Sequence, residues 1–197
     1  MIKTVSGITF DEDIVNQSLE VISEAGPYRI VGKRLDEVFS YEKAQEAVLK
    51  DDWQTIFKAF SNNRITERFL IYILLKSNVD FMPFVGELIG RGGYIQFFNM
   101  KGITEIVLPE TIKGLNINSF DSLYQLEKLT IPSSVTAIHT EAITDCPNLK
   151  EIIYEGTIEE FRTLIAKSNP NCPNPFPRFE AFCSDAKVIC KDGMVEG

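Results

Sequence analysis

The chain has 197 residues, 44% of them hydrophobic and 24% charged, which is typical of a folded globular protein and argues against a disordered one. The formal net charge is −8, and an acidic surface repels nucleic-acid phosphates and anionic lipids. We therefore expect the protein to bind neither nucleic acid nor a membrane.

The apolar stretches of the chain are short. The first residues contain no continuous apolar run of about 7 to 15 residues, which a secretory signal requires. The longest run, Phe69 to Leu75, is much shorter than the ~20 residues of a membrane-spanning helix. We expect a cytoplasmic protein or, alternatively, a component of a virion.

Residues 1–90 predict a mainly α-helical domain. Asp11 or Asp13 is a candidate N-cap for a helix that ends at Gly26-Pro27. Residues 28–31 fit a short strand, and Ser40 is a candidate cap for a second helix. The acidic residues 11–13 then supply the negative charge that favours a helix N-terminus.

The second half of this N-terminal region continues the helical pattern. A strongly amphipathic stretch has large apolar residues at i, i+3, i+4 and i+7, namely Trp53, Ile56, Phe57 and Phe60. Residues 66–77 are apolar nearly all round, which indicates a buried helix, although residues 69–75 also fit a buried strand. A short helix is predicted at residues 82–89.

Residues 91–197 contain an internal repeat of 23 residues. Three successive units share the pattern apolar-x-x-apolar-x-apolar, as in Leu126-x-x-Leu129-x-Ile131. Aligning Pro109 with Pro132 brings apolar residues together in nearly every column. The aligned pairs are Ile112 with Val135, Leu115 with Ile138, Phe120 with Ile143, Leu123 with Cys146, Leu126 with Leu149, Leu129 with Ile152, and Ile131 with Tyr154.

The repeat predicts a stack of parallel strands. In the apolar-x-apolar stretch both apolar side chains point to one face, as a strand requires. A single unit cannot bury its own apolar edge, so successive units must stack and the ends must be capped. The sequence therefore predicts a short solenoid of about three 23-residue repeats.

A C-terminal cap follows the last repeat. Thr157 and Glu160 have the spacing of a capping box, and the apolar residues of the following helix share one face that covers the open end of the core. Four prolines exclude helix from residues 169–179, which we interpret as a surface loop. This loop leads to the last strand of the chain.

Residues 126–149 resemble the BspA-like class of leucine-rich repeats. That class reads, in outline, L-x-x-I-x-I-P-x-S-V-x-x-I-G-x-x-A-F-x-x-C-x-x-L, and the matches are Pro132, Ser134, Val135, Ile138, Ala142, Cys146 and Leu149. His139 and Ile143 depart from it. The resemblance covers roughly residues 94–193, including the cap. It implies that residues 188–193 form the closing strand of the cap, and that the function is protein binding. Together with the helical pattern of residues 1–90, which resemble no family, it predicts an α+β fold in which a helical N-terminal domain precedes the repeats.

Residues suited to catalysis are few. Residues 86–93 are glycine-rich but match neither phosphate-binding motif, so we interpret them as a turn. His139 and Cys146 are a conceivable dyad, but Cys146 occupies a core column and His139 a turn position. The four cysteines form no CxxC pair, so we expect reduced thiols, no metal and no cofactor. A bridge from Cys183 to Cys172 or Cys190 is the alternative in an oxidising compartment.

The outward positions of the repeat strands form the candidate partner-binding site. One outward column is Glu105, Lys128 and Glu151, and the other is Val107, Thr130 and Ile153. The first is a charge ladder in which neighbours compensate each other, and the second is a β-branched stripe. The stripe fits a contact surface and ordinary sheet propensity about equally well.

The sequence thus favours a non-enzymatic interaction protein that presents the sheet face and loops to a protein partner or to a second copy of itself. A structural component of a larger assembly, such as a phage particle, is the first alternative. An enzyme that uses carboxylates in residues 1–90 is the weaker one.

Overall fold

The structure is a computed structural model that describes residues 1–25, 43–44, 46–47, 50, 52–61, 67–78, 80, 97–116, 118–139, 141–168 and 186–195. The predicted strand at 28–31, the helix at 82–89, the glycine-rich turn at 86–93 and the proline-rich loop at 169–179 lie outside the described residues. So do Cys172 and Cys183.

The chain begins with a hairpin. Strands β1 (Ile2–Val5) and β2 (Ile8–Asp11) pair antiparallel across Ser6 and Gly7. These two residues have φ angles of 53° and 75°, as a two-residue type I′ turn requires. Strand β2 also pairs antiparallel with β4 (Ile103–Val107), so the hairpin extends the sheet of the repeats. No strand was predicted for residues 2–10 from the sequence, and the structure corrects this.

Within the part of the chain that the structure describes, three helices of nine residues or more follow the hairpin and precede the repeats. Helix α1 (Glu12–Ala25) begins where predicted, since the Asp11 carboxylate accepts a hydrogen bond from the Asp13 amide at 3.0 Å and so caps the helix. Helix α2 (Trp53–Ser61) is the predicted amphipathic helix. Residues 67–76 form helix α3 (Glu67–Lys76) and not a strand, and α3 packs against both α1 and α2. The described residues between 43 and 47 are also helical.

The repeats form three parallel ladders. The longest joins β4, β7 (Lys128–Ile131) and β10 (Glu151–Tyr154). A second joins β3 (Phe97–Phe98), β6 (Phe120–Asp121) and β9 (Ile143–Thr144), and a third joins β5 (Gly114–Leu115) and β8 (Ala137–Ile138). In each ladder a residue pairs with the one 23 positions later, which confirms the predicted period.

The repeated columns form the core. Both members of every aligned pair are buried, from Ile112 and Val135 to Ile131 and Tyr154. Phe97 and Phe120 stack with ring centroids 5.7 Å apart, one repeat from the next. The buried side chains of the hairpin and the helices belong to the same cluster as those of the repeats. The described parts of the two halves therefore share one hydrophobic core.

A tyrosine joins the helices to the first repeat. Tyr72 of α3 is 1% exposed, its hydroxyl donates to the Lys101 carbonyl at 3.1 Å, and the Lys101 amide donates back to the hydroxyl oxygen. Burial raises the pKa of the Tyr72 hydroxyl. Since both backbone groups of Lys101 are satisfied by one side chain, the start of the repeats depends on the position of α3.

The C-terminal cap is an α-helix followed by a hairpin. The cap begins with helix α4 (Ile158–Ser168), which buries the side chains of Phe161, Leu164 and Ile165 in the core, as predicted. Strand β11 (Lys187–Cys190) pairs parallel with β10, and β12 (Gly193–Met194) pairs antiparallel with β11. Among the described residues, the main sheet therefore has seven strands in the order β1-β2-β4-β7-β10-β11-β12.

Candidate partner-binding face

The outward side of the main sheet carries two rows of side chains, because alternate residues of each strand point away from the core. On the inward side lie Ile106, Leu129, Ile152 and Val188, all buried. The positions on either side of these residues point outward. We call the outward positions of β4, β7, β10 and β11 the sheet face.

The first row of the sheet face is charged and alternates in sign. The strand register places Glu105 beside Lys128, Lys128 beside Glu151, and Glu151 beside Lys187. The Lys128 ammonium is 3.9 Å from a Glu151 carboxylate oxygen, and the two side chains are 38% and 44% exposed. An exposed pair of this kind contributes at most ~1 kcal/mol to stability. The row therefore offers alternating charge to solvent without holding the fold together.

The second row is mostly apolar. Its register runs Val107, Thr130, Ile153, Ile189 and Met194 across five neighbouring strands. Val107 and Met194 are 44% and 53% exposed, and Ile153 and Ile189 are half-buried. Five adjacent strands thus present a row of mostly apolar side chains beside the charged one, interrupted by the buried Thr130.

The structure brings all six predicted partner-binding residues onto this one face. Thr130 differs from the others because it is only 7% exposed between Val107 and Ile153, so it offers little area to a partner. The other five residues are exposed or half-buried.

Three residues of the face were missed by the sequence analysis: Lys187, Ile189 and Met194. The 23-residue spacing does not reach them, because β11 pairs with Glu151 through Lys187, 36 positions later, after α4 has intervened. The closing strand itself was predicted at residues 188–193. Its alternation of buried Val188 and Cys190 is the signal that places Lys187 and Ile189 outward.

Loops border the sheet face. The Lys150 ammonium, in the turn before β10, lies 3.0 Å from the Glu127 carboxylate of the preceding repeat. The Tyr124 side chain is 47% exposed, and its carbonyl accepts a hydrogen bond from the Asn148 amide at 2.5 Å. These cross-repeat contacts hold the turns in a fixed order.

The candidate nucleophile is a core residue. Cys146 is 1% exposed, its thiol lies 3.3 Å from the Thr144 carbonyl oxygen, and burial raises its pKa to about 11. A thiol with this pKa is protonated at neutral pH and is a poor nucleophile. His139 is exposed, and its Nδ1 accepts a hydrogen bond from the Glu141 amide at 3.0 Å, as a turn residue does.

The carboxylates with shifted pKa values serve as helix caps or ion pairs. Hydrogen bonds from the Met1 amino group and the Asp13 amide lower the pKa of Asp11, and the Thr55 hydroxyl and amide lower that of Asp52. The Lys50 ammonium likewise lowers the pKa of Glu46. A general acid at neutral pH requires the opposite shift, so these three groups are unsuited to that role.

Other features of the described residues are modest. A cleft of about 280 Å³ lies between the helices and the first repeat and is lined by Ile14, Gln17, Ser18, Arg68, Tyr72, Asn99 and Lys101. The described residues include no group of three or more His, Cys, Asp or Glu placed to hold a metal ion. Within the same residues, no helix is long and apolar enough to cross a membrane.

The repeats match a known protein family. The family model described as BspA type leucine rich repeat region matches residues 93–171 in 6 copies. This part of the chain therefore carries leucine-rich repeats of the BspA type, as the resemblance indicated. The stretch has room for three full 23-residue units, so the 6 copies do not correspond one to one with turns of the chain. Comparisons with curated proteins and with solved structures found no match.

Proposed function

We propose that the protein is a non-enzymatic interaction module whose sheet face and bordering loops bind a protein. Leucine-rich repeats generally mediate protein–protein interaction, which gives the class of function. The observation that carries the proposal is the outward apolar row, whose ends Val107 and Met194 are 44% and 53% exposed.

The proposal includes the architecture that presents this face. A helical domain formed by about residues 1–90 packs against the first turn of a short solenoid. Residues 91–197 form the solenoid and its cap. The protein acts in the cytoplasm. The repeats supply a rigid surface, because a ladder of parallel strands fixes each outward side chain relative to the next. Binding then requires no chemical turnover and no cofactor.

Lysines placed in the apolar row test this function. In the variant Val107→Lys/Ile153→Lys, a partner that covers the row must desolvate two ammonium groups without counter-charges, so we expect at least about tenfold weaker binding. The tagged chain is incubated in a lysate of the cells that make it, and every retained protein, including untagged copies of the chain, is quantified.

A matched control carries the same charge change elsewhere. Thr163→Lys/Ala166→Lys adds two lysines to the exposed side of α4, away from the sheet face, and is expected to retain what the wild type retains. If the folded sheet variant binds as well as this control, the sheet face is not the contact surface and the proposal is wrong.

A further inference from the structure

The charges of the sheet face are complementary to those of a second copy of the same face. Read across the strands, the charged row is Glu105, Lys128, Glu151, Lys187. In the reverse direction the row begins with lysine and has the opposite sign at every position. A row of four alternating charges is therefore its own partner when one copy is turned end to end.

A simple symmetry brings the two rows together. A two-fold axis along the strand direction, passing between β7 and β10, reverses the strand order and lays each row over its own copy. Glu105 then faces Lys187 of the second copy, and Lys128 faces its Glu151. In the apolar row Val107 faces Ile189, and Thr130 faces Ile153. The strands of the two sheets stay nearly aligned, as in packed sheets generally.

The charges also disfavour the alternative two-fold arrangement, in which an axis perpendicular to the strands places each strand over its own copy. If this axis runs through the charged row, glutamate meets glutamate and lysine meets lysine, and the like charges repel. If it runs between the two rows, each charged side chain lies over an apolar one and loses water without gaining a counter-charge. The overall charge of −8 does not prevent the first arrangement at physiological salt, because the Debye length there is about 8 Å and local pairs decide.

We propose that the sheet face binds a second copy of this chain, forming a face-to-face homodimer through these eight opposed charges and the apolar row. The inference rests on the proposed function and names its partner. The four strands of the sheet face, about 4.8 Å apart and about four residues long at ~3.3 Å per residue, cover roughly 250 Å² per chain, well below the about 800 Å² per partner of a standard stable interface. The dimer is therefore weak and depends on concentration.

Charge reversal in two separate variants tests this geometry. Lys128→Glu places glutamate against Glu151 of the second copy, and Glu151→Lys places lysine against Lys128, so each variant alone is expected to dimerise at least tenfold more weakly than the wild type. In an equimolar mixture every opposed pair is again glutamate with lysine, and dimerisation returns. Sedimentation velocity across micromolar to millimolar concentrations at physiological salt measures all four samples.

Two controls accompany the mixture. Lys167→Glu and Glu159→Lys make the same charge changes on exposed positions of α4 and are expected to dimerise like the wild type. The pair Glu105→Lys and Lys187→Glu repeats the test at the outer strands, and it replaces the first pair if circular dichroism shows that either of those variants is unfolded.

The outcomes separate this inference from the proposed function. Recovery in the mixture, with weak dimers in each single variant, supports the face-to-face dimer. A monomeric wild type, single variants that dimerise normally, or a mixture that does not recover overturns it. A monomeric wild type that still retains a different protein through the sheet face leaves the proposed function standing, and one that retains nothing contradicts both.

Discussion

Ser119 departs from the repeat pattern at the level of a single residue. It is fully buried, and its hydroxyl has no hydrogen-bond partner among the described residues. The position 23 residues later is Ala142, which is buried in the same column. An unsatisfied buried hydroxyl costs free energy that a methyl group does not.

We therefore expect Ser119→Ala to raise the free energy of unfolding by about 1 kcal/mol. The reciprocal variant Ala142→Ser is the control and is expected to lower it by a similar amount. Urea denaturation followed by circular dichroism measures both. A destabilised Ser119→Ala would mean that the hydroxyl has a partner in the folded protein.

Other single residues have backbone conformations that the sequence did not reveal. Asn99, Ser122 and Asp145, each 23 residues from the next, have φ angles of 49°, 58° and 49°. They directly follow strands β3, β6 and β9, where the chain must turn out of the second ladder. Asn and Asp tolerate this left-handed conformation better than most residues, and two of the three members of the column, Asn99 and Asp145, are of this type. The repeat was recognised from its apolar positions, and this column of polar residues was therefore not noticed.

At the scale of the element, the amphipathic helices and the cap were the most predictable features. Helical periodicity is expressed over many residues, so α1, α2 and α4 were recognisable without tertiary information. The hairpin β1–β2 was missed because its strands have only four residues each. The dipeptide Ser6-Gly7 between alternating apolar residues was the local signal for it.

The capping box of α4 is formed as the sequence predicted. The Thr157 amide donates to the Glu160 carboxylate at 2.7 Å, and the Glu160 amide donates to the Thr157 hydroxyl at 3.2 Å. Hydrogen bonds from the Thr157 amide and hydroxyl lower the pKa of Glu160. Because the folded-state pKa is lowered, this contribution to stability is present above the pKa of the unfolded chain and is lost as the pH falls through the folded-state pKa.

We expect Thr157→Ala to lower the free energy of unfolding by about 1 kcal/mol at pH 7. Part of this penalty is expected to disappear in acid, because a protonated Glu160 gains less from the Thr157 donors in the wild type. Thermal unfolding from neutral to acidic pH measures the difference, with the exposed mid-helix change Thr163→Ala as control. A penalty that stays constant as the pH falls, or matches the control, would contradict this role of the cap.

At the scale of the whole molecule, the period of the repeat was readable from sequence, but the join between the halves was not. The 23-residue register follows from columns of like residues, which need no knowledge of the rest of the chain. The contact of Tyr72 with Lys101, and of β2 with β4, joins residues far apart in sequence that share no periodic pattern. The division into residues 1–90 and 91–197 stays a prediction.

In the sheet face, too, the positions that follow from the repeat were predictable from sequence, and those that depend on tertiary contacts were not. Its first three strands were predicted because Glu105, Lys128 and Glu151 are equally spaced, as are Val107, Thr130 and Ile153. The burial of Thr130 depends on the side chains beside it, and the addition of Lys187, Ile189 and Met194 depends on strand pairing across the cap. Neither follows from spacing alone.

The central claim is that this face contacts a protein, and site-specific photo-cross-linking tests it most directly. A photoreactive amino acid replaces Ile153 in the middle of the face or, as the control, Thr163 on the exposed side of α4. Each chain is irradiated once in purified form at high concentration and once in a lysate of the cells that make it. The account predicts covalent products from position 153 and none from position 163, with the cross-link in the purified chain falling on strands β4 to β11 of a second copy. Products only from position 163, or none from either position, would contradict it.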